Sequence, residues 1–183
     1  MNTMKPIHIA LMLLAAGLAG TAHAHVTLEE PTSLAGAPYK AVLLVSHGCE
    51  GTATHTVTVR LPAGFRGAKP RPKPGWQIGI RRAPLAQPYE SHGRKISDDV
   101  AEITWKASSR EAWLPDAQFD EFVLRGQAPE QPGPAWFQVQ QLCERGQWDW
   151  FDTPAGGGTS TQGLKAPAVL LDVQASGHAG HPH

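Results

Sequence analysis

Seven of the chain's nine histidines follow residue 24: His25, His47, His55, His92, His178, His181 and His183. Imidazole suits several divalent transition metals. Cu(II) in particular takes imidazole and amine nitrogen in tetragonal geometry and accepts carboxylate oxygen. One histidine stands where it could gain a second donor. The stretch Ala22-His23-Ala24-His25-Val26-Thr27 closes an apolar leader. A cut after Ala24 makes His25 the first residue, so that its free α-amine and ring nitrogen form a two-nitrogen chelate within one residue. Glu50, beside Cys49, is a carboxylate able to complete such a set. The alternative is that His25 is a by-product of cleavage with no metal role, and the residue types alone leave both readings open.

The elements that must position these residues begin with the leader. Met1 to Ala24 carries Lys5, an apolar run from Ile9 to Leu18 and an Ala22-x-Ala24 cleavage signature, the pattern of a secretory signal peptide. The run is shorter than the roughly 20 residues a spanning helix needs, and no second apolar run follows it. The expectation is a periplasmic or otherwise exported protein, without a membrane span in the mature chain. Residues 25–175 suffice for one domain with its own core, and 176–183 read as a flexible tail. Formal net charge is zero and no long basic run occurs, which argues against nucleic acid as a partner. Cys49 and Cys143, the only cysteines, are expected to pair in an oxidising compartment. A pair of thiolate metal ligands is the competing reading.

Enzyme signatures are missing from the chain. There is no Gly-x-Ser-x-Gly, no phosphate-cradling glycine loop and no His-Glu-x-x-His. The acidic pairs Asp98-Asp99 and Asp120-Glu121 read as solvated turn or strand-end residues.

Short β-like runs recur between turn signals. Residues 26–28, 39–45, 54–61, 76–81, 100–106, 119–125, 135–143, 147–151 and 168–173 are predicted strands. Val57, Val59 and Leu61 alternate with Thr56, Thr58 and Arg60, as in a half-buried strand. Lys69-Pro70-Arg71-Pro72-Lys73-Pro74-Gly75, with proline at every second position, is predicted to be an extended connector rather than a strand. Its basic residues could form a docking surface, but a solvated rigid loop is the simpler reading. Residues 82–99 are expected to be a hairpin loop, and 108–118 to hold a short turn or helix. Eight or nine strands and no long helix predict an all-β fold, a single immunoglobulin-like antiparallel β-sandwich.

Five segments occur in an order that resembles the YcnI family, the DUF1775 domain. They are His25-Val26-Thr27-Leu28, His47-Gly48-Cys49-Glu50-Gly51, Lys73-Pro74-Gly75-Trp76, Phe119-Asp120-Glu121-Phe122, and Gln141-Leu142-Cys143-Glu144 with Trp150. The resemblance implies an exported β-sandwich that binds one Cu(II) in a mono-histidine brace. In such a brace the N-terminal histidine gives amine and ring nitrogen, a glutamate gives oxygen and a tryptophan lies beside the metal. Carried onto this chain, these are His25, Glu50 and Trp150, with Trp148 as the alternative tryptophan. Trp76, Trp105, Trp113 and Trp136 are assigned to core or loop packing. His178, His181 and His183 could form an auxiliary metal site, although a solvated tail explains them equally well. His47, near Glu50, is expected to be a surface histidine, and His55 and His92 have no companion that makes them ligands.

The function expected from these readings is a non-enzymatic one. The chain would hold Cu(II) for copper homeostasis or trafficking as chaperone, store or scavenger, with the copper ion and other copper-handling proteins as partners. The rival is a copper oxidase or monooxygenase, which needs a second imidazole from His47, His55 or His92. A third reading is an adhesion or interaction sandwich with no metal.

Overall fold

The structure, a computed structural model, describes residues 25–176. The expected signal segment 1–24 and the tail histidines His178, His181 and His183 lie outside the described residues.

Period-two patterning builds the fold. In the strand Gly133–Cys143, Ala135, Phe137, Val139, Gln141 and Cys143 are buried, while Trp136, Gln138, Gln140 and Leu142 are half-buried. Eleven strands occur among the described residues: β1 (Thr27–Leu28), β2 (Thr32–Leu34), β3 (Pro38–Val45), β4 (Thr54–Arg60), β5 (Arg66–Pro70), β6 (Trp76–Ser91), β7 (Arg94–Ala107), β8 (Asp120–Gln127), β9 (Gly133–Cys143), β10 (Gln147–Trp150) and β11 (Val169–Gln174). A single 3-10 turn covers Arg110–Ala112.

These strands form two sheets. One has the order β1-β3-β8-β5, and the other β2-β11-β9-β4-β7-β6. In the second sheet β11 pairs with the first half of β9 and β10 with the second half. Aromatic edges lock the sheets face to face: Trp76 and Trp105 both meet Phe122, at 5.1 and 5.7 Å, and Phe65 meets Phe137 at 5.4 Å. The arrangement is the all-β sandwich that the strand pattern predicts, with one parallel pair, β2 with β11, in an otherwise antiparallel fold.

Three local expectations are corrected. Lys69 and Pro70 are not in a connector but end a strand, β5, paired with β8. Gly67, at φ 60°, lies in the register break between Arg66 and Lys69, and Pro70 falls at the strand's last position, where a missing N–H is tolerated. Arg71 N–H still donates to the Val123 carbonyl of β8 at 2.8 Å, and residues 72–74 leave the sheet. Residues 82–99 are not a loop, because β6 and β7 continue through them to a tight turn at His92-Gly93, with an irregularity between Pro84 and Tyr89. β2 was not anticipated, since three half-exposed residues carry no alternation.

Asp99 is also not a solvated turn residue. It is 4% exposed and accepts hydrogen bonds from Gly67 N–H (2.8 Å), Tyr89 Oη–H (2.7 Å) and Val100 N–H (2.7 Å). It thereby ties the long hairpin to β5. Burial works to raise its pKa, but these three bonds and the Arg82 charge outweigh it, so the carboxyl lies below its ordinary value. Burial and the Asp99 bond push Tyr89 up to about 12.

Candidate metal centre

His25 immediately precedes β1. That strand is brief, with Thr27 opposite Leu44 and Leu28 opposite Leu43, and Glu29 N–H donates to Val42 carbonyl at 3.0 Å. Buried Val26 and Leu28 anchor it in the core. Held this way, the His25 ring meets the Trp150 indole edge-on, with centroids 5.4 Å apart.

Trp150 ends β10 and is 2% exposed. Its position is fixed twice over. Trp148 stacks on it at 5.0 Å and 24°, and its indole N–H donates to the Gln141 amide oxygen at 3.4 Å. Gln141 faces inward on β9 and is 1% exposed. Its amide nitrogen donates to the His47 carbonyl (2.6 Å) and to Thr54 Oγ1 (2.7 Å). A buried amide must have such partners, because each unmet polar group costs about 1–3 kcal/mol. The Trp148 indole nitrogen is buried without a hydrogen-bond partner among the described residues.

His47 lies two residues beyond β3 and is half-buried rather than at the surface. Its ring packs against Trp150 at 6.3 Å and 84°, and Nδ1 lies 2.6 Å from the Gly48 carbonyl. Trp150 therefore carries two histidine rings, His25 and His47.

The acidic candidate sits on the next turn. Cys49 and Thr52 exchange backbone hydrogen bonds (3.2 and 2.9 Å) around Glu50 and Gly51, at φ 50° and 73°. Two positive central φ values mark a type I′ turn, which favours asparagine or glycine at the place Glu50 occupies. Only glycine fits at position 48, where a Cβ would lie 1.7 Å from the Thr52 carbonyl oxygen. The Gly48 N–H donates to Asp116 Oδ1 at 2.9 Å. The Cys49–Cys143 disulfide bolts the turn to the end of β9, as the cysteine count predicts, and closes a loop whose constraint stabilises the fold by ~4–5 kcal/mol. Thr52 Oγ1 donates to the Cys49 carbonyl and accepts from Arg145 N–H (2.7 and 3.2 Å), adding a second link to the β9–β10 turn.

Glu50 is exposed, and no group of three or more His, Cys, Asp or Glu side chains converges on a metal position among the described residues. A mono-histidine brace is not such a group, since two of its three donors belong to one residue and one of these is the α-amine. His55 packs on Trp113 (5.2 Å) and meets Thr56 Oγ1 (2.9 Å), while His92 occupies the β6–β7 turn. Trp76 and Trp105 are core residues, and Trp113 and Trp136 are half-buried. The structure thus brings together His25, Trp150, Trp148 and His47, and adds Gln141, whose role the sequence reading missed. A glutamine at an inward position of an otherwise apolar alternation was the available signal.

The two-sheet architecture belongs to the immunoglobulin-like class. It is similar to the crystal structure of an uncharacterized protein from Nocardia farcinica that reveals an immunoglobulin-like fold, at 24% identity and TM-score 0.61, over 81% of this chain and 97% of that one. The seventh ScaB type I cohesin from Pseudobacteroides cellulosolvens is a more distant likeness (10% identity, TM-score 0.39, 87% and 97% covered). No curated protein matches the chain. A family model described as "Domain of unknown function (DUF1775)" matches residues 25–173, and the chain belongs to that family.

Proposed function

We propose that the chain, once cut before His25, is an exported copper-binding protein that holds one Cu(II) and serves copper homeostasis or trafficking. The His25 α-amine and ring nitrogen are the nitrogen donors, the Glu50 carboxylate is the oxygen donor, and Trp150 stands beside the ion. The observation that carries the reading is the contact of His25 with buried Trp150 at 5.4 Å, at the residue where the family match begins. Amine and imidazole nitrogen with carboxylate oxygen form a donor set suited to Cu(II). The left-handed backbone of Glu50 adds support, since strained residues gather at functional sites. The amine becomes a donor only after processing, because in the uncut chain it is an amide to Ala24.

The test is mass spectrometry of the secreted N-terminus, then Cu(II) titration of that material followed by tryptophan fluorescence and electron paramagnetic resonance. One equivalent should bind with two nitrogen ligands and quench fluorescence. A variant with one extra residue before His25 should bind more than about 10-fold more weakly, a scale already lost when only an outer-shell partner of a ligand is removed. Unchanged affinity in that variant, or no binding at all, sinks the proposal.

His47 favours a second reading. It gives the cluster another imidazole against Trp150, as a copper oxidase or monooxygenase requires. Three nitrogen ligands in the resonance spectrum, together with reductant-dependent oxygen consumption, would replace the binding protein with the enzyme.

A further inference from the structure

The outer face of the β1-β3-β8-β5 sheet carries an arrangement of charge that folding alone disfavours. Lys40 on β3 stands directly opposite Arg125 on β8, and Arg125 stands directly opposite Lys69 on β5. Cross-strand partners share a face, so three exposed cations form one row across three strands, about 5 Å apart. Like charges in that register repel. Arg71 extends the row where the chain leaves β5. Among the described residues, none of these four makes an ion pair; of the carboxylates bordering them, Glu130 pairs with Arg66 and Asp120 with Lys73, while Glu121 lies at the far end of β8. The chain as a whole is neutral, so this is a local accumulation.

The row lies in a trough. A cavity of about 850 Å³ opens between the sheet and the His92 turn, with Lys40, Lys69 and Arg125 in its wall. Those three residues also line a second cavity of about 280 Å³, over Pro70 and Val123. That one continues through Arg71 and Val123 into a third, of about 430 Å³, beside Asp120 and Glu121. The trough follows β8 from Gln127 to Glu121, roughly 20 Å of extended chain. It is basic at the Arg125 end and apolar at Val123.

We propose that this trough docks an extended acidic segment of a partner protein, several consecutive carboxylates lying across Lys40, Arg125 and Lys69 and an apolar side chain reaching Val123. Charge complementarity selects the occupant, and other anionic surfaces fit less well. A bilayer is flat, and of the exposed large hydrophobic residues among those described only Phe119 borders the trough, at its far end beside Asp120 and Glu121, whose carboxylates repel anionic lipid, and not beside Lys40, Lys69 and Arg125. Single-stranded nucleic acid needs open aromatic faces along its track, but Tyr39 is buried, Arg66 covers the Tyr89 ring at 4.7 Å, and the exposed Phe119 stands beside Asp120 and Glu121, whose charges repel phosphate. The surface is separate from the candidate metal centre. Roughly 17 Å of β3 lies between Lys40 and Val45, and His47 comes after that.

The test uses the copper-free chain and a fluorescein-labelled peptide of four glutamates followed by two leucines, with four glutamines replacing the glutamates in the control. Anisotropy should show saturable binding of the acidic peptide alone, weakening as salt is raised because exposed charges are screened. The K69E/R125E double variant should bind at least 10-fold more weakly, and K106E, on the other sheet and outside the trough's lining, should bind as wild type. Should K69E/R125E fail to fold by circular dichroism, the neutralising pair K40Q/K69Q takes its place, with the same direction of loss expected. Absence of saturable binding, or equal binding by the charge variants, overturns the proposal. So does binding to phosphatidylglycerol vesicles that is lost in the variants while the peptide is ignored, which would assign the trough to a membrane surface.

Discussion

Gln141 and Trp150 are joined by a single buried hydrogen bond, indole N–H to amide oxygen at 3.4 Å, and the other end of the same amide holds the His47 carbonyl. One side chain therefore sets the wall against which both His25 and His47 rest.

Removing it should be costly. Gln141→Leu removes the acceptor of the Trp150 N–H and the donor to both the His47 carbonyl and Thr54 Oγ1. An unmet buried group costs about 1–3 kcal/mol, so urea unfolding should show a loss of at least that size. Copper-dependent quenching of tryptophan fluorescence should weaken in the same variant. A Gln141→Leu protein with unchanged stability would show that the amide organises nothing.

Glu50 should trade stability for function. A non-glycine residue in the left-handed region costs about 1–2 kcal/mol, and glycine recovers this less the entropy it adds to the unfolded chain. Glu50→Gly should therefore raise unfolding free energy by about 0.5–1 kcal/mol while lowering Cu(II) affinity. Glu50→Gln keeps the strain and should lower only the affinity. If both variants bind copper as wild type, Glu50 is not a ligand.

Asp99 should give the fold an acid-sensitive step. Its native pKa is depressed, so its contribution is complete above the unfolded value near 3.8 and disappears as pH falls through the lower native value. Asp99→Asn should lose stability at neutral pH and flatten the profile below about pH 4. Urea midpoints measured from pH 2 to 7 check this, and parallel curves for the two proteins would contradict it.

Reducing the Cys49–Cys143 bridge should destabilise the chain by about 2–5 kcal/mol, measured by unfolding with and without a thiol reductant. Since the bridge clamps the Glu50 turn to β9, the reduced protein should also bind Cu(II) more weakly, even under conditions where it remains folded.

Much of this was legible in the sequence. Val57 and Val59 announce β4, and the order of the DUF1775 segments made His25 and Trp150, with Trp148 as the alternative, candidates for one site. What escaped was whatever depends on pairing between distant segments. Nothing local in Arg82–Asp99 says that the hairpin continues, because its exposed arms lack apolar alternation and draw their order from Asp99 bonding to Gly67 and Tyr89. His47 resembled a loop histidine because its partner, Trp150, is more than 100 residues away. The cation row was equally hidden: Lys40, Lys69 and Arg125 are unremarkable along the chain and become neighbours only through strand register.

β1 is only two residues long and holds to the sandwich through its pairing with β3 and the burial of Val26 and Leu28. In the chain cut before His25 that we propose, β1 would be the terminal element, and short terminal elements open at free energies far below that of global unfolding. His25 of that cut chain would then swing away from Trp150 while the bridge, the core and the Glu50 turn remain intact. A ligand held there would leave by a latch set by two residue pairs, and the rate of exchange would be tuned by substitutions at Thr27 and Leu28 rather than by the stability of the two sheets behind them.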